Sequence, residues 1–154
     1  MGPPVTRPPV TTASSWAAFF AHHLDDLPVI AILRGLDADA AVAAACEVWD
    51  IGVRLVEVTL ERPEGVQALR AVVEAAPEGT PVGAGTVTTP ERLRRAVECG
   101  ARFAIAPGLD VDTVHAAERI GVPFLPGVAT PSEAGAALQL GVTTVKLFPA
   151  ALLG

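Results

Sequence analysis

Lysine is almost missing from this chain. Ten of the eleven cationic side chains in its 154 residues are arginines, and Lys146 is the only lysine. Charged residues of both signs make up only 18%, which is low for a chain with a large solvated surface. The net charge is −6 and the pI is near 4.9, so no basic stripe is available to neutralise phosphates, and a nucleic-acid partner is excluded. A small acidic metabolite stays compatible, because local arginines can outvote the global charge. Cysteine occurs twice, at Cys46 and Cys99, too few for a disulfide framework and with no metal-like partner nearby. Both are read as small buried hydrophobes in a reducing compartment. No apolar run approaches a membrane span. The start, MGPPVTRPPVTTASS, has no apolar stretch of the kind a secretory signal needs. The expectation is a disordered Pro/Thr/Ser leader over residues 1–13, one domain over 14–154, and a cytoplasmic location.

What is abundant is material for a core. Hydrophobic residues make up 51% and mean hydropathy is +0.45. From residue 14 onward short apolar runs alternate with helical patterns. SSWAAFFAHHLDDL predicts an amphipathic helix capped by Ser14 or Ser15. The runs PVIAILRG, RLVEVTL, PVGAGTV, RFAIAP, PFLPGVA and TTVKLFP predict six strands, nearly continuous in apolar character as expected when both faces are covered. Between them lie helices, with Pro63 in a first turn, Thr89-Pro90-Glu91 as a start signal, and Gly100, Gly121 and Gly141 as stops. Strictly alternating strands and helices imply right-handed crossovers and a parallel sheet. The unit spacing is that of a (β/α)8 TIM-type barrel, and a doubly wound open sheet is the competing layout. GAGT lacks the rest of a dinucleotide fingerprint, which speaks against a Rossmann site.

Reading the strands with a period of two puts polar residues on the wrong side. In RLVEVTL, Val56, Val58 and Leu60 share the helix-facing side, so Leu55, Glu57 and Thr59 point into the barrel. In TTVKLFP, Val145 and Leu147 face helices and Thr144, Lys146 and Phe148 face inward. Arg34 follows Ile30 and Ile32 at the C-terminal end of the first strand, and Thr86 ends the third at the corresponding place. C-terminal strand ends are where barrel enzymes carry their chemistry. The alternative for Glu57 and Lys146 is a buried ion pair, which adds little net stability. For Arg34 it is a rim arginine, and for Thr86 a cap or an ordinary β-branched strand residue. The chemical reading is an imine site. A lysine becomes a nucleophile when burial lowers its amine pKa, and it then condenses with a ketone. Glu57 would shuttle the protons, with an arginine or hydroxyl holding a keto-acid carboxylate, and neither metal nor cofactor required. HHLDD near residue 22 reads as a solvated helix face, and His115 receives no role.

PVIAILRG, GVRLVEVTL, VGAGTV, FAIAPGLD, PFLPGVATPSE and VKLFPA resemble, in order and spacing, the 2-keto-3-deoxy-6-phosphogluconate (KDPG) / 4-hydroxy-2-oxoglutarate (KHG) aldolase family. The resemblance runs from about Pro28 to Gly154. It implies a class I aldolase on a (β/α)8 barrel, a homotrimer that cleaves KDPG to pyruvate and glyceraldehyde 3-phosphate. By resemblance Lys146 forms the Schiff base, Glu57 is the general acid/base, Thr86 contacts the pyruvate carboxylate, and Pro107 and Phe148 line the pocket. Two departures stand out. Some members carry an arginine where this chain has Glu61, and Arg34 resembles the form of the phosphogalactonate branch, leaving both epimers and 4-hydroxy-2-oxoglutarate open as substrates. The family's phosphate-holding turns after strands seven and eight have no counterpart here. The expectation is therefore an incomplete barrel of about six strands, lacking the last two βα units, with the first and sixth strands as apolar open edges. Such a chain is a truncated piece of a longer one, a frameshifted or fragmentary reading frame, or one completed by another copy, and the non-enzyme reading is an inactive barrel fragment. A different phosphate-handling barrel with a structural lysine is the third reading, and it predicts no imine.

Overall fold

The computed structural model describes residues 12–153, so residues 1–11 of the leader expected over 1–13 lie outside the described residues, while Ala13 already belongs to a helix. The elements follow in chain order: α1 (Ala13–Leu24), β1 (Ile30–Leu33), α2 (Ala38–Asp50), β2 (Leu55–Thr59), α3 (Glu64–Ala75), β3 (Val82–Gly85), α4 (Pro90–Glu98), β4 (Phe103–Ile105), α5 (Val111–Ile120), β5 (Phe124–Leu125), β6 (Gly127–Val128), α6 (Pro131–Gln139) and β7 (Lys146–Leu147), before a short 3-10 turn (Ala150–Leu152). Strands β1 to β5 form one parallel sheet in sequential order, and β6 pairs in parallel with β7. This is the α/β, barrel-type arrangement the alternation predicts, with crossover helices between successive strands.

Five of the predicted strands match one element each. PFLPGVA does not: it is split into β5 and β6 around Pro126. Proline has no N–H to offer the ladder, yet its carbonyl still accepts from Lys146 N at 2.9 Å, so β7 is tethered across the break. Helix starts follow their caps. Asp37, Thr89 and Asp110 each accept a backbone N–H of the first turn, and Thr130 with Glu133 forms a complete capping box. The first helix differs from expectation: it begins at Ala13, and Thr12 rather than Ser14 or Ser15 is the N-cap residue. Ser15 instead donates its hydroxyl to the Thr12 carbonyl at 2.8 Å. The cysteines also differ from expectation. Cys99 is buried, but Cys46 is exposed on α2, beside buried Ala45. No helix among the described residues is long and apolar enough to cross a membrane.

The register sorts the side chains into two sets. Ile30 and Ile32 stand opposite Leu55 and Glu57, Glu57 opposite Gly83, and Gly83 opposite Phe103, so all share the inner face of the curved sheet. Val56, Val58, Val82, Ala84 and Ala104 are buried on the outer face, where helices cover them. Aromatic residues fill the lower part of the interior. Helix α1 brings Phe19 and Phe20 to within 5.8 and 5.9 Å (ring centroids) of Phe103, and Trp16 meets Phe124 edge-on at 6.2 Å. Those strand residues are the first of β4 and β5, so α1 packs at the N-terminal ends of the strands. Gly83 gives the Phe103 ring its room, since a Cβ there would lie 2.2 Å from it.

Because Phe103 is wedged against Phe19 and Phe20, its ring has nowhere to withdraw. Gly83→Ala is expected to lose about 1–3 kcal/mol through overpacking. At roughly 2–4 °C per kcal/mol for a chain of this size, the loss is readable as a fall in Tm.

Candidate active site

Above the aromatic layer the interior is open. A cavity of about 170 Å³ is lined by Ile30, Ile32, Glu57, Ile105, Leu125 and Lys146. Four of the six are aliphatic, and the two polar ones are the pair singled out in the sequence. Glu57 sits in the middle of β2, every residue of which is buried, and is itself 2% exposed. Gly85 makes its carboxyl group possible: a Cβ there would stand 3.0 Å from Glu57 Oε1. The Glu57 Oε2 atom is buried and has no hydrogen-bond partner. Burial pushes the carboxyl pKa up, and the charges of Lys146 and Arg34 oppose this without overcoming it.

Lys146 enters the cavity from β7, where its backbone N–H donates to the Pro126 carbonyl and Gly127 is its register partner. No ion pair joins it to Glu57 within 4.0 Å, so the buried salt bridge that was the structural alternative is not formed. The Lys146 Nζ lies 4.7 Å from the ring centroid of Phe148, within cation–π reach. Lys146 is half-buried rather than enclosed, since among the described residues β7 pairs on one side only and its neighbour Leu147 is 56% exposed.

The remaining candidates stand around the rim. Arg34 follows β1 and donates from Nη1 to Glu61 Oε2 at 2.6 Å, across the C-terminal ends of β1 and β2. Thr86 follows β3 with φ of +59°, the one non-glycine residue with positive φ among those described. A β-branched residue in the left-handed region is strained. Pro107 and Phe148 are not among the residues lining the cavity. Pro107 follows β4 with its carbonyl pressed against Gly127, and Phe148, 39% exposed, meets the site through Lys146.

Thr59 faces inward as the strand period predicts, and its hydroxyl is buried and unpartnered, two residues beyond Glu57 on β2. One feature escaped the sequence reading. Arg92 of α4 donates to the Thr86 carbonyl at 3.2 Å. Its signal in the sequence was a cation in the first turn of a helix, where the dipole disfavours one. Of the residues left aside, His22 is exposed and His115 pairs with Glu118 on the α5 surface. Among the described residues no group of three His, Cys, Asp or Glu is placed to hold a metal ion.

A parallel, curved β/α sheet with a glutamate and a lysine converging from separate strands defines a barrel-type protein with a lysine–carboxylate site. The family model for KDPG and KHG aldolase matches residues 21–154, and the chain belongs to that family. It is 35% identical over 127 residues to the probable 2-dehydro-3-deoxy-6-phosphogalactonate aldolase of Rhizobium meliloti, covering 82% of this chain and 60% of that protein. It is 39% identical over 123 residues to the KHG/KDPG aldolase of Escherichia coli, covering 80% and 57%. Among solved structures, the KDPG aldolase of Legionella pneumophila, with pyruvate captured as a covalent carbinolamine, superposes with a TM-score of 0.78. The two are 33% identical, over 94% of this chain and 66% of that one. The KDPG aldolase of Zymomonas mobilis with 3-phosphoglycerate gives a TM-score of 0.80 at 31% identity, over 93% and 66%. The chain thus spans about 60% of the length of the curated relatives it matches.

The unpartnered carboxyl group of Glu57 makes stability pH-dependent in a defined direction. Its pKa is raised in the folded state, so its neutral form is tolerated and its charged form penalised. Its contribution is fully present below the unfolded value near 4.5 and is lost as pH rises through the folded pKa. Glu57→Gln should therefore raise Tm at pH 8 by a few degrees, about 2–4 °C per kcal/mol. The gain should vanish below the unfolded pKa. Thermal melts of both chains across that range check it, and an equal gain at every pH would contradict it.

Proposed function

We propose that this chain carries out class I aldolase chemistry on a 2-keto-3-deoxy sugar acid, with Lys146 as the nucleophile and Glu57 as the proton carrier. The observation that carries the reading is the convergence of both side chains on one small, otherwise aliphatic cavity without pairing to each other. A lysine locked in a salt bridge would be held away from a ketone; this one is free to reach it.

The Lys146 amine adds to the C2 ketone of the substrate, forming a carbinolamine, and loss of water leaves a protonated imine. Glu57, whose raised pKa brings it toward the working range of a general acid/base, delivers the proton that the departing hydroxyl needs. Its carboxylate then takes the proton of the C4 hydroxyl as the C3–C4 bond breaks. The electron pair of that bond flows into the imine to give an enamine, and an aldehyde leaves. Protonation of the enamine at C3 by Glu57 and hydrolysis of the imine release pyruvate and restore Lys146. Arg34 and Thr86, at the C-terminal ends of β1 and β3, are the groups proposed for the substrate carboxylate. Phe148 packs against the amine, and Pro107 supports the rim. The aldehyde product for KDPG is glyceraldehyde 3-phosphate; the phosphogalactonate epimer and 4-hydroxy-2-oxoglutarate are the alternatives. The homotrimer implied by the resemblance belongs to the same reading and is checked by sedimentation.

A second reading, capture of a keto acid without turnover, is favoured by the openness of the site. Ile32, on the cavity wall, is 48% exposed, and β1 and β7 each pair on one side only among the described residues. Water at the cavity mouth weakens every electrostatic contact inside.

Incubation with pyruvate and borohydride followed by intact-mass measurement tests the chemistry. One reduced pyruvate per chain is expected in the wild type and none in Lys146→Ala; an adduct that survives Lys146→Ala would sink the assignment. Aldehyde release from KDPG separates the two readings, since capture without turnover yields the adduct alone. Arg34→Ala is expected to raise the half-saturating pyruvate concentration about tenfold, the scale of one charge-assisted hydrogen bond. The trapping yield measured against pyruvate concentration reads it.

A further inference from the structure

The strain at Thr86 has a visible counterpart. Thr86 lies between Gly85, which packs on the Glu57 carboxyl group, and Val87, whose N–H bonds to Ile105 O at 3.0 Å. Both neighbours are thus pinned to β-strand partners, and the turn between them carries the φ of +59°. Arg92 reaches back over this turn from the first turn of α4. Its Nη1 donates to the Thr86 carbonyl at 3.2 Å and to the Thr88 hydroxyl at 3.1 Å. Its own backbone N–H is taken by the Thr89 cap. The guanidinium is therefore a bridge over residues 86–88, closed at both ends. A cation at this helix position works against the dipole, so its side-chain contacts must offset that penalty.

We propose that Arg92 is a positioning residue. By holding the Thr86 carbonyl it keeps Thr86 in the left-handed region and so aims the Thr86 hydroxyl and amide at the place where the substrate carboxylate binds. The role in binding rests on the aldolase reading given above; the holding of the strained turn does not. A carbonyl bonded to a guanidinium is also polarised, and the fixed turn removes ordering that binding would otherwise require. Arg92 touches no reacting atom.

Two readouts test it. In the first, Thr86→Gly is placed in the wild-type and Arg92→Gln backgrounds and Tm is measured. Glycine adopts positive φ at no steric cost, so it relieves strain only where strain is enforced. The Tm change on Thr86→Gly should be more favourable with Arg92 present than in the Arg92→Gln background. Equal changes overturn the clamp, whether or not any variant reacts with pyruvate. In the second, pyruvate trapping is titrated. Arg92→Gln should raise the half-saturating concentration about tenfold, the scale of one hydrogen bond's worth of positioning, with Lys146 still trapped at saturation. Arg92→Lys should recover part of the loss. An unchanged half-saturation alongside coupled Tm values overturns the role in binding while leaving the clamp. A wild type that gives no adduct defeats the aldolase reading and with it the binding role, and the Tm comparison still decides the clamp.

Discussion

Everything near the site is arranged around one buried carboxyl group that has no partner. A carboxylate in an aliphatic cavity is one of the most unfavourable things a small fold can contain, and Glu57 Oε2 has neither a hydrogen bond nor an ion pair to offset it. The surroundings accommodate the group without satisfying it. Gly85 withdraws a side chain so that the carboxyl group fits, and Gly83 does the same for the Phe103 ring beneath. The aromatic residues of α1 fill the lower interior, and above them Glu57 and Lys146 share an unfilled cavity. A core built for stability alone would put a leucine here.

The charges around the cavity are kept apart in a consistent way. Arg34 is engaged by Glu61 on the rim and Arg92 by the 86–88 turn, while Lys146 lies against the Phe148 ring. Each cation that faces the site has a tether other than Glu57. Both Lys146 and Arg34 are near enough to temper the rise in the Glu57 pKa, yet burial still dominates. The balance leaves a carboxyl group able to hold and release a proton in a site whose lysine is unpaired, a pattern in which opposed environments separate acid and base roles. Arg34 and Glu61 form an ion pair at the rim, so their opposite charges offset each other there.

Much of this was legible residue by residue. The period of two in RLVEVTL and TTVKLFP placed Glu57 and Lys146 on the same inner face, because alternation in a strand leaves no other choice. Thr89-Pro90-Glu91 marked a helix start for reasons of local hydrogen bonding alone. Other features were out of reach. PFLPGVA was expected as a single strand, and Pro126, the approach of Pro107 to Gly127 and the tether to β7 divide it between two short ladders. Cys46 reads like Cys99 in a helical pattern; which helix face meets the sheet decided that one is exposed and the other buried. Pro107 and Phe148 were placed at the pocket by resemblance; neither lines the cavity, and the Phe148 ring lies against the Lys146 amine.

What the amino-acid order determined by itself is the alternation of elements, their caps, and the side of each strand on which a polar residue falls. These follow from short-range geometry, where a few neighbouring residues carry all the information. Only the tertiary structure decided that Glu57 and Lys146 meet without bonding, that Arg34 is bound to Glu61, and that Thr86 is held in a strained turn by Arg92. Those are distances between residues far apart in the chain or angles fixed by contacts outside the local segment, and the packing of one element on another sets them.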